Sequence, residues 1–523
     1  MSNKRIGAKN FGDIYVEGKR YRSRREWRGV VDTLYDYSRW LYNWINMFRI
    51  VLVKPRNIKA MFRYRWMANY LAVPMMVDRH TQGLRGEHLR ICHAEQDVII
   101  EDVAKLLDKL FRGDRRIGND EEFSKKVVLV DENEMQSVMM GFPTVVPLSR
   151  EIASTYIPVL LNQRAAIHYI DVAQEYGLAG DVCPMPEAEA GVSIDDDAPI
   201  LGCCAVQCNT TCDGSLLSNG VISKRMEFED GIPVFQLASP LRHMNEDVQE
   251  YAAQEIRNAI AFIEEHTGEK WDWDYYFECA KRVNYATKCR LEWLEMSKSP
   301  YPQVFGSNLA LYTETNYMAI SGRLPIFEKT DRKIMRLAEK AYKKKKMAAN
   351  EYRHRAIVWG VQSHYYMDLL VWMLNCWGIV PLTDMLSMDN TTMIAEEDTP
   401  ENREQAMYDI AMLTEKMIMR NRTHGGYKVL LDDLWEIVTE FNADMVILWE
   451  HMSCKALDVM HGMFEQRARE LGIHLVWVSH DLFDPRVVSR QGVRDQINTY
   501  MRTVMGEEPV DPTLEVLPDE ESW

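Results

Sequence analysis

Cysteines are the residues of this sequence whose type and spacing point most directly to chemistry. There are ten of them, and four fall between Cys203 and Cys212. Cys183 lies in a Pro-rich loop after a predicted helix, whereas Cys208 and Cys454 directly follow predicted strands. Thiolates gathered at strand ends, close to helix N-termini, can hold an iron–sulfur cluster or zinc.

The spacing alone does not decide between a metal site and simple burial. No CxxC pair recurs, as a zinc ribbon requires, and the bacterial ferredoxin pattern is absent. Free cysteine is often buried, so packing in the core is the alternative for each thiol. Cys212 stays ambiguous, and the remaining cysteines of the predicted strands and helices are expected in the core: Cys203, Cys204, Cys279, Cys289 and Cys376.

Short apolar runs that alternate with helical segments must position these cysteines. The predicted strands are 127–132, 141–147, 198–204 and 231–238 in the first half, and 354–361, 378–385, 443–450 and 473–479 in the second. Such runs, separated by predicted helices such as 149–176, are typical of parallel sheets covered on both faces. The pattern predicts an α/β protein with two doubly wound domains, Rossmann-like or flavodoxin-like, and ligands at the carboxyl ends of the strands.

The sequence pattern divides the chain into three parts. Residues 1–130 are predicted to form a helical, basic extension, 131–345 a first α/β domain with a helical insert, and 346–523 a second α/β domain. Within the extension, the apolar stretch from Trp40 to Val53 is too short to span a bilayer and contains Arg49. A docking helix is favoured there over a helix that lies on a membrane surface.

Charge and composition exclude several classes of protein. The 523 residues are 46% hydrophobic and 27% charged, and the formal net charge is −16. This apolar content suffices for large cores, and the acidic balance argues against nucleic-acid binding. The polar N-terminus has no apolar segment of a signal peptide, and the cysteines are too sparse for a disulfide scaffold. We therefore expect a cytoplasmic protein with reduced thiols and no membrane association.

Five segments, in order along the chain, carry a further pattern: GLAGDVCPMPEAEAG (177–191), PILGCCAVQCN (199–209), EEHTGEKWDWDYYFECAKRVNYA (264–286), MSCKALDVMHG (452–462) and HDLFDPRVVSRQGVRDQINTYM (480–501). The last is the most specific, because an Asp-x-x-Asp-Pro-Arg turn follows a strand and precedes a closing amphipathic helix. Together these segments resemble the catalytic subunits of the 2-hydroxyacyl-CoA dehydratase and benzoyl-CoA reductase family, over about residues 140–505.

The resemblance implies that Cys183, Cys208 and Cys454 ligate a [4Fe–4S] cluster between the two α/β domains. These are the same three residues that the predicted loops and strand ends single out. Such a centre passes single electrons to a CoA thioester, so an acyl-CoA substrate is implied. Relatives receive the electron from a separate ATP-hydrolysing iron–sulfur activator and pair with a homologous second catalytic subunit. This sequence has neither a GxxxxGK[ST] loop nor GxGxxG after a strand, so we expect no nucleotide hydrolysis here.

The sequence indicates the reaction less clearly than it indicates the family. The 480–501 segment looks slightly closer to the benzoyl-CoA reductases, which reduce an aromatic ring, and a 2-hydroxyacyl-CoA dehydratase subunit is the alternative. Pro184–Glu187 stands where relatives often carry Tyr and a basic residue, and residues 1–130 have no counterpart. These departures keep open a non-catalytic, cluster-carrying partner subunit, and a structural zinc site is a third possibility.

Polar residues near the cysteines have weaker signals. His451 and Ser453 flank Cys454 and are candidates for hydrogen bonds to a cluster or substrate, with a helix cap as the alternative for Ser453. Asp481, Asp484 and Arg486 belong to the turn after the last strand, where we expect a structural ion pair rather than a substrate contact.

Overall fold

The structure is a computed structural model. It describes residues 15–16, 19–20, 29–81, 83–130, 136–208, 212–238, 240, 245–303, 312–313, 323–347, 352–385, 387–388, 392–415 and 427–515.

The first α/β unit is built on a four-stranded parallel sheet. Its strands are β3 (Val127–Val130), β4 (Val146–Leu148), β5 (Cys204–Cys208) and β6 (Val234–Leu237), in the order β4-β3-β5-β6. Alternate side chains belong to two different cores, since Val127, Leu129 and Ala205 lie in one and Val128 and Val206 in the other. The sheet is therefore packed on both faces, as parallel sheets require.

The second α/β unit has the same plan. Its strands are β7 (His354–Trp359), β8 (Ile379–Asp384), β9 (Met445–His451) and β10 (His474–His480), all parallel, in the order β10-β9-β7-β8. All side chains of β8, and all but one of β7 and of β9, are buried. The predicted α/β class with two parallel sheets is confirmed.

Two further two-residue strands, β1 (Tyr15–Val16) and β2 (Lys19–Arg20), pair antiparallel near the N-terminus. The helices are α1 (Gly29–Leu52), α2 (Pro55–Arg63), α3 (Val73–Thr81), α4 (Gly86–Gly113), α5 (Glu121–Ser124), α6 (Ile157–Leu161), α7 (Ile167–Tyr176), α8 (Pro184–Ile194), α9 (Asp213–Arg225), α10 (Glu246–Thr267), α11 (Trp273–Lys298), α12 (Pro325–Lys343), α13 (Leu369–Trp377), α14 (Pro400–Glu415), α15 (Tyr427–Glu440), α16 (Lys455–Asp458), α17 (His461–Leu471) and α18 (Arg490–Thr503). Among the described residues, none of these helices is both long and apolar enough to cross a bilayer.

Three local predictions were wrong in their bounds. The strand expected at 141–147 is confined to Val146–Leu148. The strand expected at 198–204 occupies Cys204–Cys208, because Gly202 has a φ of +102°, outside the extended region. The helix expected at 149–176 is interrupted: a π-turn covers Ile152–Tyr156, and the helix ends at Leu161 before α7 begins. Pro158 has no N–H to donate to the carbonyl four residues earlier, which disfavours a continuous helix.

The N-terminal helices share the core of the first α/β unit. Tyr70 donates its hydroxyl to the carbonyl of Ala153 at 2.7 Å, and the Trp66 indole N–H donates to the carbonyl of Asp197 at 2.9 Å. The Trp66 ring also stacks on Phe111, with ring centroids 5.9 Å apart. Because these contacts are buried, the helices before β3 are structural parts of the unit that carries the first sheet.

Replacing Trp66 tests this integration. Trp66→Ala removes a fully buried ring, and we expect the free energy of unfolding to fall by about 3–5 kcal/mol in chemical denaturation. Leu71→Ala is the matched control, because Leu71 is 62% exposed in the same segment, and its effect should stay within about 0.5 kcal/mol. An unfolding curve of Trp66→Ala that overlays the wild-type curve would contradict the shared core.

Candidate functional site

Each of the two sheets has a switch point, a pair of adjacent strands from which the chain connections run in opposite directions. In the first sheet the switch lies between β3 and β5, and in the second between β7 and β9. Ligands of doubly wound folds bind in the crevice outside the carboxyl ends of such strands. Cys208 ends β5, and Cys454 follows β9 by three residues, so the predicted site residues belong to these two edges.

Cys183 is held at the start of α8. It is the N-cap residue with φ −58° and ψ 126°, the extended conformation favoured before proline, and Pro184 occupies the first turn of the helix. Helix α8 packs very closely on α7, because a Cβ atom at Gly191 would lie 1.9 Å from the Tyr169 carbonyl oxygen. The position of the Cys183 thiol is thus fixed by a proline, by a glycine contact and by the helix itself.

Two other cysteines occupy equivalent positions. Cys212 is the N-cap residue of α9, and Cys454 is the N-cap residue of α16. Cys454 is fixed by a tight turn after β9, in which its N–H donates to the His451 carbonyl at 2.8 Å. Three cysteines therefore stand at three helix N-termini, where backbone N–H groups and the helix dipole favour a thiolate.

The start of α9 lies beside Cys183, because a Cβ atom at Gly214 would be 3.6 Å from the Cys183 Cβ atom, and the thiols affect one another's pKa. Burial raises the pKa of the Cys183 thiol well above its usual range, and Cys212 and Cys454 add to that rise. Burial also raises the pKa of Cys454 to about 11, Cys212 raises it further, and the N–H groups of Leu457 and Ala456 oppose the shift. Without a positive partner, the Cys183 and Cys454 thiols hold their protons at neutral pH, and a bound metal would displace them.

Cys208 has a different environment. It is fully buried and belongs to the core that covers the second face of the first sheet, together with Val206 and Leu237. Its carbonyl accepts a hydrogen bond from the Asn219 amide at 3.0 Å. Cys183, Cys212 and Cys454 thus stand at helix N-termini, with the start of α9 beside Cys183, and the role of Cys208 as a ligand stays a prediction. Residues 209–211, which join Cys208 to Cys212, lie outside the described residues.

The remaining cysteines are placed largely as expected. Cys204, Cys279, Cys289 and Cys376 are buried, and Cys203 is half-buried with its sulfur 3.2 Å from the Val127 carbonyl oxygen. In the described part of the chain, no three His, Cys, Asp or Glu side chains are grouped closely enough to hold a metal ion as they stand.

A histidine bridges the two α/β units at the cysteines. His451, the last residue of β9, has its Nε2 atom 3.3 Å from the Cys183 sulfur. Burial lowers the pKa of His451 well below its usual range, and His480 adds to the effect, so the ring is neutral. Its Nδ1 atom is buried without a partner. A buried N–H without a partner is the rarer case, so we place the proton on Nε2, which then donates to sulfur.

Ser453 is not the helix cap. Its hydroxyl donates to the Asp481 carboxylate at 3.2 Å, and Cys454 holds the cap position instead. Burial raises the pKa of Asp481 to about 6, although backbone N–H groups of Asp484 and Phe483 oppose the rise. Ser453 therefore links the cysteine turn to the turn after β10.

The Asp484–Arg486 pair is structural, as expected. The Arg486 guanidinium donates to both oxygens of Asp484, at 2.6–2.9 Å, and to Asp171 on α7 at 2.8 Å. Lys455 makes a second link between the units, with its ammonium 3.3 Å from Asp181 and 3.6 Å from Asp213. These ion pairs hold the second unit against the loops that carry Cys183 and Cys212.

Sequence reasoning missed three buried polar residues around these thiols. His480 ends β10 beside His451, with ring centroids 5.6 Å apart, and His364 follows β7. Burial lowers the pKa of His480 to about 4 and of His364 to about 3. Burial raises the pKa of Glu187, in the first turn of α8, to about 7. Both histidines follow predicted strands, as Cys208 and Cys454 do, so their positions at strand ends were a signal in the sequence that could have identified them.

The fold and these contacts define an α/β protein with thiols and neutral histidines where two parallel sheets meet. Residues 144–503 match the model of a protein family described as 2-hydroxyglutaryl-CoA dehydratase, D-component. Because the match spans more than half of the chain, the protein belongs to this family, and the predicted resemblance is confirmed. A comparison with curated proteins gave no match.

Proposed function

We propose that the protein is the iron–sulfur subunit of an enzyme that acts on CoA thioesters by single-electron transfer, with dehydration of a 2-hydroxyacyl-CoA as its reaction. The observation that carries this proposal is the family match over residues 144–503, within which three cysteines stand at helix N-termini. Family membership supports a dehydratase-type subunit, and the cysteines supply the donor chemistry that a cluster needs.

The donor set fits an iron–sulfur cluster. Cys183 and Cys454 are two proposed ligands of a [4Fe–4S] cluster, and the third comes from Cys208 or Cys212. We favour Cys212, because it stands at a helix N-terminus beside Cys183, whereas Cys208 lies in the core of the first sheet. Bound there, the cluster supplies a low-potential electron. The chain itself supplies burial, helix N-termini and the His451 N–H, which set the charge that the site tolerates.

The proposed partners follow from the family. A low-potential electron requires a donor, and this sequence lacks a GxxxxGK[ST] loop for ATP. A separate ATP-hydrolysing iron–sulfur activator is the proposed source of the electron, a homologous subunit the proposed catalytic partner and an acyl-CoA the substrate. The cytoplasm, where thiols stay reduced, is the proposed compartment.

Aromatic ring reduction, as in benzoyl-CoA reductases, is the alternative reaction. The segment 480–501 favoured it at the level of sequence. Arg486 and Asp484 in that segment, however, bond to each other and to Asp171, so these residues are explained by the turn that they hold. We favour dehydration because the family to which the chain belongs is described as a dehydratase component.

Single replacements of the cysteines test the cluster. Cys183→Ser and Cys454→Ser should each remove most of the iron and sulfide after anaerobic reconstitution, because each removes a thiolate ligand. Of Cys208→Ser and Cys212→Ser, we expect only the second to do so. Cys289→Ser, in a buried position on α11, is the matched control and should keep wild-type iron and visible absorption.

Each outcome of that series is decisive. Iron content unchanged in both Cys183→Ser and Cys454→Ser would refute the cluster. Loss of iron in Cys208→Ser and not in Cys212→Ser would reassign the third ligand. A colourless protein that contains zinc would replace the proposal with a structural zinc site.

His451 should set the reduction potential of the cluster. An N–H that donates to a ligand sulfur stabilises the reduced, more negative form. His451→Leu should therefore lower the potential by on the order of 50 mV in an anaerobic redox titration, and His451→Gln, which retains an N–H donor, should restore part of it. Equal potentials in the wild type and His451→Leu, at equal iron content, would show that this contact does not reach the cluster.

Electron consumption separates the two reactions. A dehydratase recycles its electron, so with the activator and a 2-hydroxyacyl-CoA we expect many turnovers for each electron supplied by the reductant. Ring reduction consumes an electron pair for every product molecule. Reductant consumption that rises in proportion to product formed from an aromatic acyl-CoA would overturn dehydration and establish the alternative.

A further inference from the structure

Helix α1 buries its polar side and exposes its apolar side, the reverse of the usual arrangement. Asp36 and Asn43 are only 2% and 1% exposed, whereas Val31 is 71% and Leu34 is 65% exposed. Large apolar side chains continue along the exposed side to the end of the helix. They are Val30, Val31, Leu34, Leu41, Tyr42, Trp44, Ile45 and Phe48, each at least 41% exposed.

Specific polar contacts fix this orientation. Asp36 lies 2.8 Å from the His93 ring on α4, and the Asn43 amide donates to Asp97 of α4 at 3.0 Å. Asp97 also accepts from Arg39 at 2.5 Å. Turning α1 to bury its apolar side would break these contacts and leave polar groups of α4 without partners. The outward apolar face is thus a consequence of the internal packing.

The spacing of the exposed residues is that of a helix partner. Val31, Leu34, Ser38, Leu41, Ile45 and Phe48 follow one another in alternating steps of three and four residues. This is the a/d repeat by which one helix packs along another in a coiled coil. We call these six residues the α1 seam. Helix α1 has 24 residues and is therefore about 36 Å long, enough for three heptads.

We propose that the α1 seam packs against the α1 seam of a second copy of this chain, around a two-fold axis. A nearly uniform apolar seam is self-complementary, as such an interface requires. Half-exposed side chains of this size present on the order of 700 Å² per copy, close to the ~800 Å² per partner of stable interfaces. The seam also lies before residues 144–503, so it is a feature of this chain outside the family match.

Charge argues for a protein partner over a lipid surface. Helices that lie on membranes combine an apolar face with a Lys- and Arg-rich polar face. On α1 the polar face is used internally: Asp32 bonds to Arg90 at 2.9 Å, and Asp36 and Arg39 contact α4 as described.

The oligomeric state of the purified full chain tests the proposal. By sedimentation velocity and light scattering, the wild type should have twice the 61.0 kDa mass of one chain. The double variant Leu41→Asp, Ile45→Asp should weaken self-association by on the order of a hundredfold and run as a monomer, with unchanged circular dichroism. The matched control Phe228→Asp, Val504→Asp also replaces two exposed apolar residues, outside α1, and should remain dimeric.

A gain-of-function variant keeps the test valid if the double variant fails to fold. Ser38 is exposed and is the one polar residue of the seam, so Ser38→Leu should tighten the dimer by about tenfold. A wild type that is monomeric at micromolar concentration would overturn the proposal. A dimer that neither the Leu41→Asp, Ile45→Asp pair nor Ser38→Leu affects would also overturn it.

Binding of the α1 seam to a membrane is the alternative to be tested, because basic residues precede α1 in the sequence: Arg22, Arg24, Arg25 and Arg28. Flotation with vesicles of equal parts phosphatidylglycerol and phosphatidylcholine should leave the wild type unbound. Seam-dependent flotation, lost in the Leu41→Asp, Ile45→Asp variant and retained in the Phe228→Asp, Val504→Asp control, would replace the second copy with a lipid surface.

Discussion

A parallel sheet sends the carboxyl end of every strand to one edge, and the rest of this structure depends on that constraint. At this edge the chain turns from strand to helix, so helix N-termini, with their free N–H groups, collect there. Cys212 and Cys454 each occupy the cap position of such a helix, and Cys183 caps the helix that precedes β5. Because each thiol sits on a helix start, its position is set by the backbone and not by a flexible side chain.

The candidate site also requires that the carboxyl-end edges of the two sheets meet. His451 reaches from the end of β9 to the Cys183 sulfur, Lys455 approaches Asp181 and Asp213, and Arg486 pairs with Asp171. The first of these contacts is buried and neutral, whereas the ion pairs lie nearer the surface. The charged contacts therefore align the two units, and the buried contact acts at the thiols themselves.

The N-terminal helices contribute to both the core and the surface. Trp66 and Tyr70 are buried against the first unit, so the region before β3 completes a core that the family-matched residues share. Helix α1 binds this core through polar groups, because Asp36, Asn43 and Arg39 find their partners on α4. These polar contacts leave the apolar side of α1 facing outward. They therefore anchor the helix and, at the same time, create an exposed apolar surface.

The sequence by itself determined the α/β class, the presence of the eight sheet strands with the bounds of six of them to within three residues, and the family, because buried parallel strands are continuous apolar runs and the five segments are local. It also singled out Cys183, Cys208 and Cys454 as candidate ligands. The tertiary structure decided what local pattern does not encode. Strand β5 begins two residues after Gly202 and ends at Cys208, so Cys208 lies on the strand and Cys212 at the start of α9. The His451 contact and the outward face of α1 join residues far apart in the chain, and only packing in three dimensions determines which partners they meet.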